Sequence, residues 1–144
     1  MLLKNFNVTT KRKISSFNKV IKVDTDKSMS IRSFLIGAIS HNISSATNVL
    51  ESEDVLATIN CLKKLGVKIT RRKSGSYFIF GKGLGSLNAK KGIKLNFGNS
   101  GTLARLLIGI LSTTPNIEVN LKGDKSLNKR SMKKLIFLMS QFGA

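Results

Sequence analysis

A seven-residue pattern occurs twice in this chain, 98 positions apart, and it limits the fold more than any single segment does. Asp26-Lys27-Ser28-Met29-Ser30-Ile31-Arg32 aligns with Asp124-Lys125-Ser126-Leu127-Asn128-Lys129-Arg130, with Asp, Lys, Ser and Arg at the same offsets. A strand-like run stands before each copy: β-branched Lys19-Val20-Ile21-Lys22-Val23, and the alternating Ile117-Glu118-Val119-Asn120-Leu121. The chain therefore restarts its own order of elements, and the fold class expected is α/β with a repeated unit.

The first unit reads strand-helix-strand-helix-strand-strand. From Ser28, the residues Ile31, Phe34, Leu35, Ala38 and Ile39 recur at helical spacing. Ser45 to Val49 reads as a second strand. Ser52 is placed to cap a helix whose first turn holds Glu53 and Asp54, where the helix dipole favours negative charge. Val55, Leu56, Ile59 and Leu62 form its stripe, and Gly66 closes it as a left-handed cap. Val67 to Thr70 and Tyr77 to Phe80 flank Lys73-Ser74-Gly75-Ser76 and read as a hairpin. After the glycine-rich stretch Gly81 to Gly92, Ile93 to Phe97 is a strand, Thr102 to Leu111 an apolar helix, and Met132 to Phe142 a last helix. By the first unit's pattern, Gly143 caps that helix ahead of a strand the chain does not contain. The expected division is a basic extension over 1–17, a first unit over 18–81, a connector over 82–92, and an incomplete second unit over 93–144.

Composition excludes several classes. At 144 residues there is room for one domain or part of one. No apolar run reaches the ~18 residues of a membrane-spanning helix. One Cys and one His exclude an internal disulfide framework and leave few ligands for structural zinc. Cytoplasm is the expected compartment. The net charge of +18 favours anionic partners. Yet 19 of the 25 cations are Lys, beside 12 Asn, so much of that charge also reads as compositional bias on a solvated surface. The 6 Arg residues are more informative, because guanidinium gives forked recognition of phosphate and carboxylate.

Three corners of the chain are suited to anions. Two are the repeated heptads. The third is Asn99-Ser100-Gly101-Thr102-Leu103-Ala104-Arg105, which also follows a strand and opens a helix. Helix-start N–H groups lack internal acceptors and lie at the positive end of the dipole. Ser and Thr add donors, Lys and Arg add charge, and Gly101 lets a ligand approach the backbone. The plain alternative for any one corner is a turn or cap in a Lys-rich chain. A Walker phosphate loop is absent, and Gly81-Lys82-Gly83-Leu84-Gly85 has no helix after it, which speaks against a dinucleotide fingerprint. His41 reads as an exposed residue past a helix, and Cys61 as a packing residue. Glu51, Glu53 and Asp54 could pass for a carboxylate cluster, but helix-start electrostatics explains Glu53 and Asp54. Phe34, Phe78, Phe80 and Phe97 read as core rather than as a base-stacking platform.

At these residues the sequence resembles the 5-enolpyruvylshikimate-3-phosphate synthase family. Asp26 to Arg32 resembles its first substrate signature, P-G-[DS]-K-S-x-[ST]-x-R. Ser52-Glu53-Asp54-Val55 with Leu65-Gly66-Val67 resembles its next block. Gly98-Asn99-Ser100-Gly101-Thr102 with Arg105 resembles L-G-N-[SA]-G-T-x-x-R, and Gly123 to Arg130 resembles G-[DE]-x-S-L-x-x-R-P. The likeness runs from about residue 18 to the end, in family order. The sister family, UDP-N-acetylglucosamine enolpyruvyl transferase, has a different first signature. Departures are Val23-Asp24-Thr25 in place of Pro and Gly, Phe97 for Leu, and Ser131 for the Pro after Arg130.

The resemblance implies an inside-out barrel architecture of repeated βαβαββ units, here one unit and an incomplete second, with the second domain absent. It implies transfer of the enolpyruvyl group of phosphoenolpyruvate to the 5-hydroxyl of shikimate 3-phosphate, on the way to chorismate. Carried over by motif, Lys27, Ser28 and Arg32 hold shikimate 3-phosphate. Lys27, Asn99, Gly101 and Arg130 contact phosphoenolpyruvate, and Thr102 and Arg105 support that corner. No organic cofactor or metal is implied. The general acid and base are expected in the domain this chain lacks, so little activity is expected of it alone. Two other readings remain at this point: a non-catalytic half that needs a separate partner chain, and a basic nucleic-acid-binding module. The scattered Lys and few aromatics argue against the latter.

Overall fold

A computed structural model of the chain describes residues 23–144, together with Thr9, Lys11, Asn18 and Val20. The strand expected over Lys19 to Val23 and the extension over 1–17 thus lie almost wholly outside the described residues.

Helix α1 (Lys27–Ile39) buries Ile31, Phe34, Leu35 and Ala38, the stripe its spacing predicts. Its cap is Asp26, whose carboxylate accepts from the Met29 N–H. Strand β1 (Ile43–Ala46) is earlier than expected, sharing only Ser45 and Ala46 with the predicted run. Asn42 and Asn48, in left-handed conformation at φ 64° and 52°, bracket it, and that backbone cannot continue a ladder. Helix α2 (Glu53–Lys64) has Ser52 at its cap position, but the hydroxyl makes no capping bond and lies buried without a partner. Its inner face is Val55, Thr58, Ile59, Cys61 and Leu62, while Leu56 of the predicted stripe is exposed. Gly66, at φ 83°, ends it in the left-handed region as expected.

Strands β2 (Lys68–Arg71) and β3 (Tyr77–Phe80) form the expected hairpin. Strand β3 lies at the centre of an antiparallel sheet in the order β1-β3-β2, with Ile79 opposite both Ser44 and Ile69. Tyr77 and Ile79 point inward and are buried. Phe78 and Phe80, read from sequence as core, instead face outward half-buried, with Arg72 and Lys68 lying over their rings at 4.5 and 4.8 Å. All four residues of the strand are apolar, so alternation could not say which pair turns inward.

The second half is smaller. Strand β4 (Lys94–Asn96), helix α3 (Gly101–Ser112) and strand β5 (Asn120–Lys122) make a parallel crossover, with Leu95 opposite Leu121. The ladder begins later than the predicted run at 117, because Ile117 and Val119 pack half-buried on the core ahead of it. A short 3-10 turn (Leu127–Lys129) precedes helix α4 (Lys133–Gln141). Here the heptad repeat is visible as structure. Asp124 accepts from the Leu127 N–H at 2.7 Å as Asp26 does from Met29, and the Asp124 and Asp26 carbonyls accept from Asn128 and Ser30, each at 3.0 Å. The second copy does not grow into a long helix. Lys129 and Lys133 stand where the first has Ile31 and Leu35, so the apolar stripe is interrupted, although Met132 and Ile136 keep two of its positions.

One continuous core joins both halves, from Phe34 and Leu62 through Ile79 to Leu95, Leu103 and Leu107. Helix α1 packs on α2, on the sheet and on α3. The chain leaves β3 across the end of α1, where Gly81 donates to Asn42 O and Lys82 to Ala38 O. A Cβ at Gly81 would stand 2.1 Å from the Ser40 carbonyl oxygen and 2.6 Å from that of Gly37, both backbone atoms. Gly81→Ala should therefore destabilise by about 1–3 kcal/mol or more, read as a lower urea midpoint with an unchanged slope; an unmoved midpoint would refute the close crossing.

Candidate functional site

Strand pairing creates the site. Strands β4 and β5 run parallel, so the loops that leave them emerge on the same side. Two further bonds extend the ladder beyond the strands: Phe97 donates to Lys122 O and Asp124 to Gly98 O, each at 2.8 Å. Asn99 and Arg130 are thereby brought together, and the Arg130 Nη2 donates to Asn99 Oδ1 at 2.8 Å. Fully buried Ser100 caps α3, its Oγ accepting from the Leu103 N–H at 3.3 Å. Because α1 packs on both α2 and α3, Lys27 at the start of α1 reaches the same place.

The result is a recess of about 250 Å³ lined by Lys27, Asp54, Asn99, Gly101, Thr102, Arg105 and Arg130. All seven fall within the quoted sequence motifs, and six of them, all but Asp54, are the residues to which the resemblance gives a substrate role. Ser28 and Arg32 are not among its lining. Ser28 is half-buried next to Lys27, and Arg32 is exposed on α1. Asp54 is the lining residue whose role sequence reasoning missed. It sits in the first turn of α2 as expected, but it also accepts from the Lys27 ammonium at 2.8 Å, with side-chain exposures of 18% for Asp54 and 48% for Lys27. The spacing of Ser52-Glu53-Asp54 signals only a helix start. The partner comes from a residue 27 positions away.

Three cations face one carboxylate in this recess, at the starts of helices α1 and α3. The Gly101 Cα lies so close to two guanidinium groups that a Cβ would meet Arg130 Nη1 at 2.9 Å and Arg105 Nη1 at 3.0 Å. Such a set, with helix-start N–H groups and the Asn99 amide, suits phosphate and carboxylate oxygens.

The other singled-out residues lie elsewhere. His41 is exposed two residues past α1. Cys61 is buried and its thiol donates to Asn96 O at 3.4 Å; burial pushes its pKa up to about 11. Glu51, Glu53 and Asp54 do not form one cluster. Glu51 faces the hairpin, where Arg71 Nε donates to it at 2.7 Å and Tyr77 Oη at 2.8 Å, and Glu53 lines a separate groove along α2. Among the described residues no group of three His, Cys, Asp or Glu could hold a metal ion, and no helix is long and apolar enough to cross a membrane.

Comparison with known proteins bears on this geometry. The family model for EPSP synthase (3-phosphoshikimate 1-carboxyvinyltransferase) matches residues 11–144. The chain belongs to the EPSP synthase family. It is 42% identical over 122 residues to the 3-phosphoshikimate 1-carboxyvinyltransferase of Paramagnetospirillum magneticum, covering 85% of this chain and 27% of that relative. It is 44% identical over 140 residues to that of Caldicellulosiruptor bescii, covering 97% and 31%. Among solved structures, EPSP synthase from Acinetobacter baumannii superposes with a TM-score of 0.78 at 40% identity, over 86% of this chain and 28% of that one. The chain thus spans about 30% of the length of these EPSP synthases.

Two outcomes follow from the site's geometry. Gly101→Ala should leave folding nearly intact, since guanidinium ends can move aside. It should weaken binding of inorganic phosphate by about tenfold, the worth of one charge-assisted hydrogen bond; calorimetry showing equal affinities would contradict the packing around Gly101. Cys61 should resist iodoacetamide at about pH 8 while folded and react once urea exposes it; rapid labelling of the native chain would show an accessible, unshifted thiol.

Proposed function

We propose that this chain forms part of an enzyme that transfers the enolpyruvyl group of phosphoenolpyruvate to the 5-hydroxyl of shikimate 3-phosphate, releasing phosphate. The observation that carries the reading is the convergence of Lys27, Asn99, Gly101, Thr102, Arg105 and Arg130 on one recess. In this reading Lys27, Ser28 and Arg32 hold shikimate 3-phosphate. Lys27, Asn99, Gly101 and Arg130 grip phosphoenolpyruvate, with Thr102 and Arg105 behind them. The substrate hydroxyl gives up its proton to a base as its oxygen bonds to C2 of phosphoenolpyruvate, and C3 takes a proton from an acid. The resulting adduct then loses phosphate and a C3 proton to give the enol ether. Fixed cations around the phosphate and carboxylate stabilise the anionic adduct without reorganising.

The 144 residues bind and polarise, and the proton transfers are assigned to the part of the relatives that this chain does not span. Asp54 is committed to Lys27 as a counter-ion. The family architecture of repeated units, with boundaries at 18–81 and 93–144 around a connector at 82–92, belongs to the same reading. So does a cytoplasmic setting. The exposed apolar side chains of α4, Ile136, Phe137 and Leu138, with Phe142 just past its end, favour a form in which further polypeptide, joined or separate, completes the enzyme.

Calorimetry on the 144-residue chain should detect weak binding of shikimate 3-phosphate, reduced about tenfold or more by Lys27→Met or Arg32→Ala. Arg130→Ala should similarly weaken phosphoenolpyruvate. Phosphate release by the chain alone should be at background. Affinities that ignore all three substitutions would sink the reading.

A further inference from the structure

We infer that Glu51 is a positioning residue for Lys27: its carboxylate fastens the 50–54 segment to the β2–β3 hairpin, and that segment carries Asp54 to the Lys27 ammonium. The inference rests on the reading of Lys27 as a substrate ligand, but its physical content is independent of any ligand.

Six contacts make the path continuous. The Leu50 N–H donates to Ser30 Oγ at 3.1 Å, and Ser30 Oγ donates to Asp26 O at 2.8 Å, so the segment is tied to the first turn of α1. The Glu51 carboxylate takes Arg71 Nε and Tyr77 Oη on one oxygen, so it is tied to both strands of the hairpin. Ser52 N–H donates to Leu50 O at 2.8 Å, a tight turn that sets the direction in which α2 begins. Asp54, three residues beyond Glu51, then meets Lys27 at 2.8 Å. The hairpin end of this path is itself fixed. Tyr77 is 5% exposed, and its ring packs edge-on against Phe34 of α1, with centroids 5.1 Å apart.

The chemistry of the pair supports the assignment. The bonds from Arg71 and then Tyr77 hold the Glu51 carboxyl below the usual carboxylate range, and burial together with Glu51 holds the Tyr77 phenol above its own. Both groups therefore keep, at neutral pH, the charge states that make the bonds. An exposed ion pair would contribute little to stability. Here the neutral, buried Tyr77 hydroxyl fixes the carboxylate's position, and the carboxylate fixes the segment. Such a contiguous set of bonds can couple Glu51 to Lys27, and that coupling is reciprocal.

The test reads Lys27 directly. NMR of the Lys27 side-chain ammonium and ε-methylene in the 144-residue chain reports the Lys27–Asp54 pair with no ligand present. Glu51→Ala should move these signals toward their positions in Asp54→Asn, Tyr77→Phe should move them part of the way, and Lys68→Ala, at the far end of β2, should leave them in place. Shikimate 3-phosphate should bind about threefold to tenfold more weakly to Glu51→Ala than to the unaltered chain, with Glu51→Asp restoring part of the loss. Lys27 signals that stay put in a natively folded Glu51→Ala variant overturn the inference. If Glu51→Ala does not fold, Glu51→Gln and Tyr77→Phe decide on the same signals. If the unaltered chain fails to bind shikimate 3-phosphate, the substrate reading falls, and the Lys27 signals still judge Glu51 on their own.

Discussion

The parallel ladder between β4 and β5 is the constraint on which the site depends. It is short, with three register pairs. Its two bonds beyond the strands set Gly98 against Asp124 and Phe97 against Lys122. A one-residue slip would turn Leu95, which has no exposed surface, out of the core and would carry Asn99 away from Arg130. The hydrophobic cost of exposing Leu95 is therefore what holds two polar loops side by side. The placing of the polar loops is secured by apolar burial in the strands that lead into them.

Gathering Lys27, Arg105 and Arg130 in one place costs free energy through repulsion. Partial exposure reduces that cost, since water and salt screen the charges. Asp54 offsets one charge directly, and the Asn99 carbonyl takes up a hydrogen of Arg130. Gly101 contributes by what it lacks. With no Cβ, it lets both guanidinium groups lie against the first turn of α3, where the helix end is already positive. The three cations are thus held together by contacts within the protein itself.

Much of this was legible in the residues. Ile31, Phe34, Leu35 and Ala38 announced α1, and the 98-residue repeat announced two corners that share even their Asp carboxylate bonds. What could not be read was anything decided by an unseen partner. The inward face of Tyr77-Phe78-Ile79-Phe80 depends on pairing with β1, since every residue is apolar. The start of β5 depends on where β4 lies, because Ile117 to Leu121 alternates evenly along its length. Asp54 read as a dipole charge because Lys27 lies far off in sequence, and Glu51 read as one of three adjacent acids though the fold sends the three to different neighbours. Spacing conveys local geometry, whereas a charge's employment is settled by topology.

The Lys27–Asp54 contact has one more consequence. An incoming anion does not meet a bare ammonium; it meets one with a resident rival 2.8 Å away. A singly charged ion such as chloride offers Lys27 no better company than the carboxylate it would have to outcompete. A ligand prevails only by engaging several groups of the recess at once with more than one negative charge. Under the proposed reading the carboxylate thus raises the threshold for occupancy, and the recess would favour polyvalent anions over simple ones.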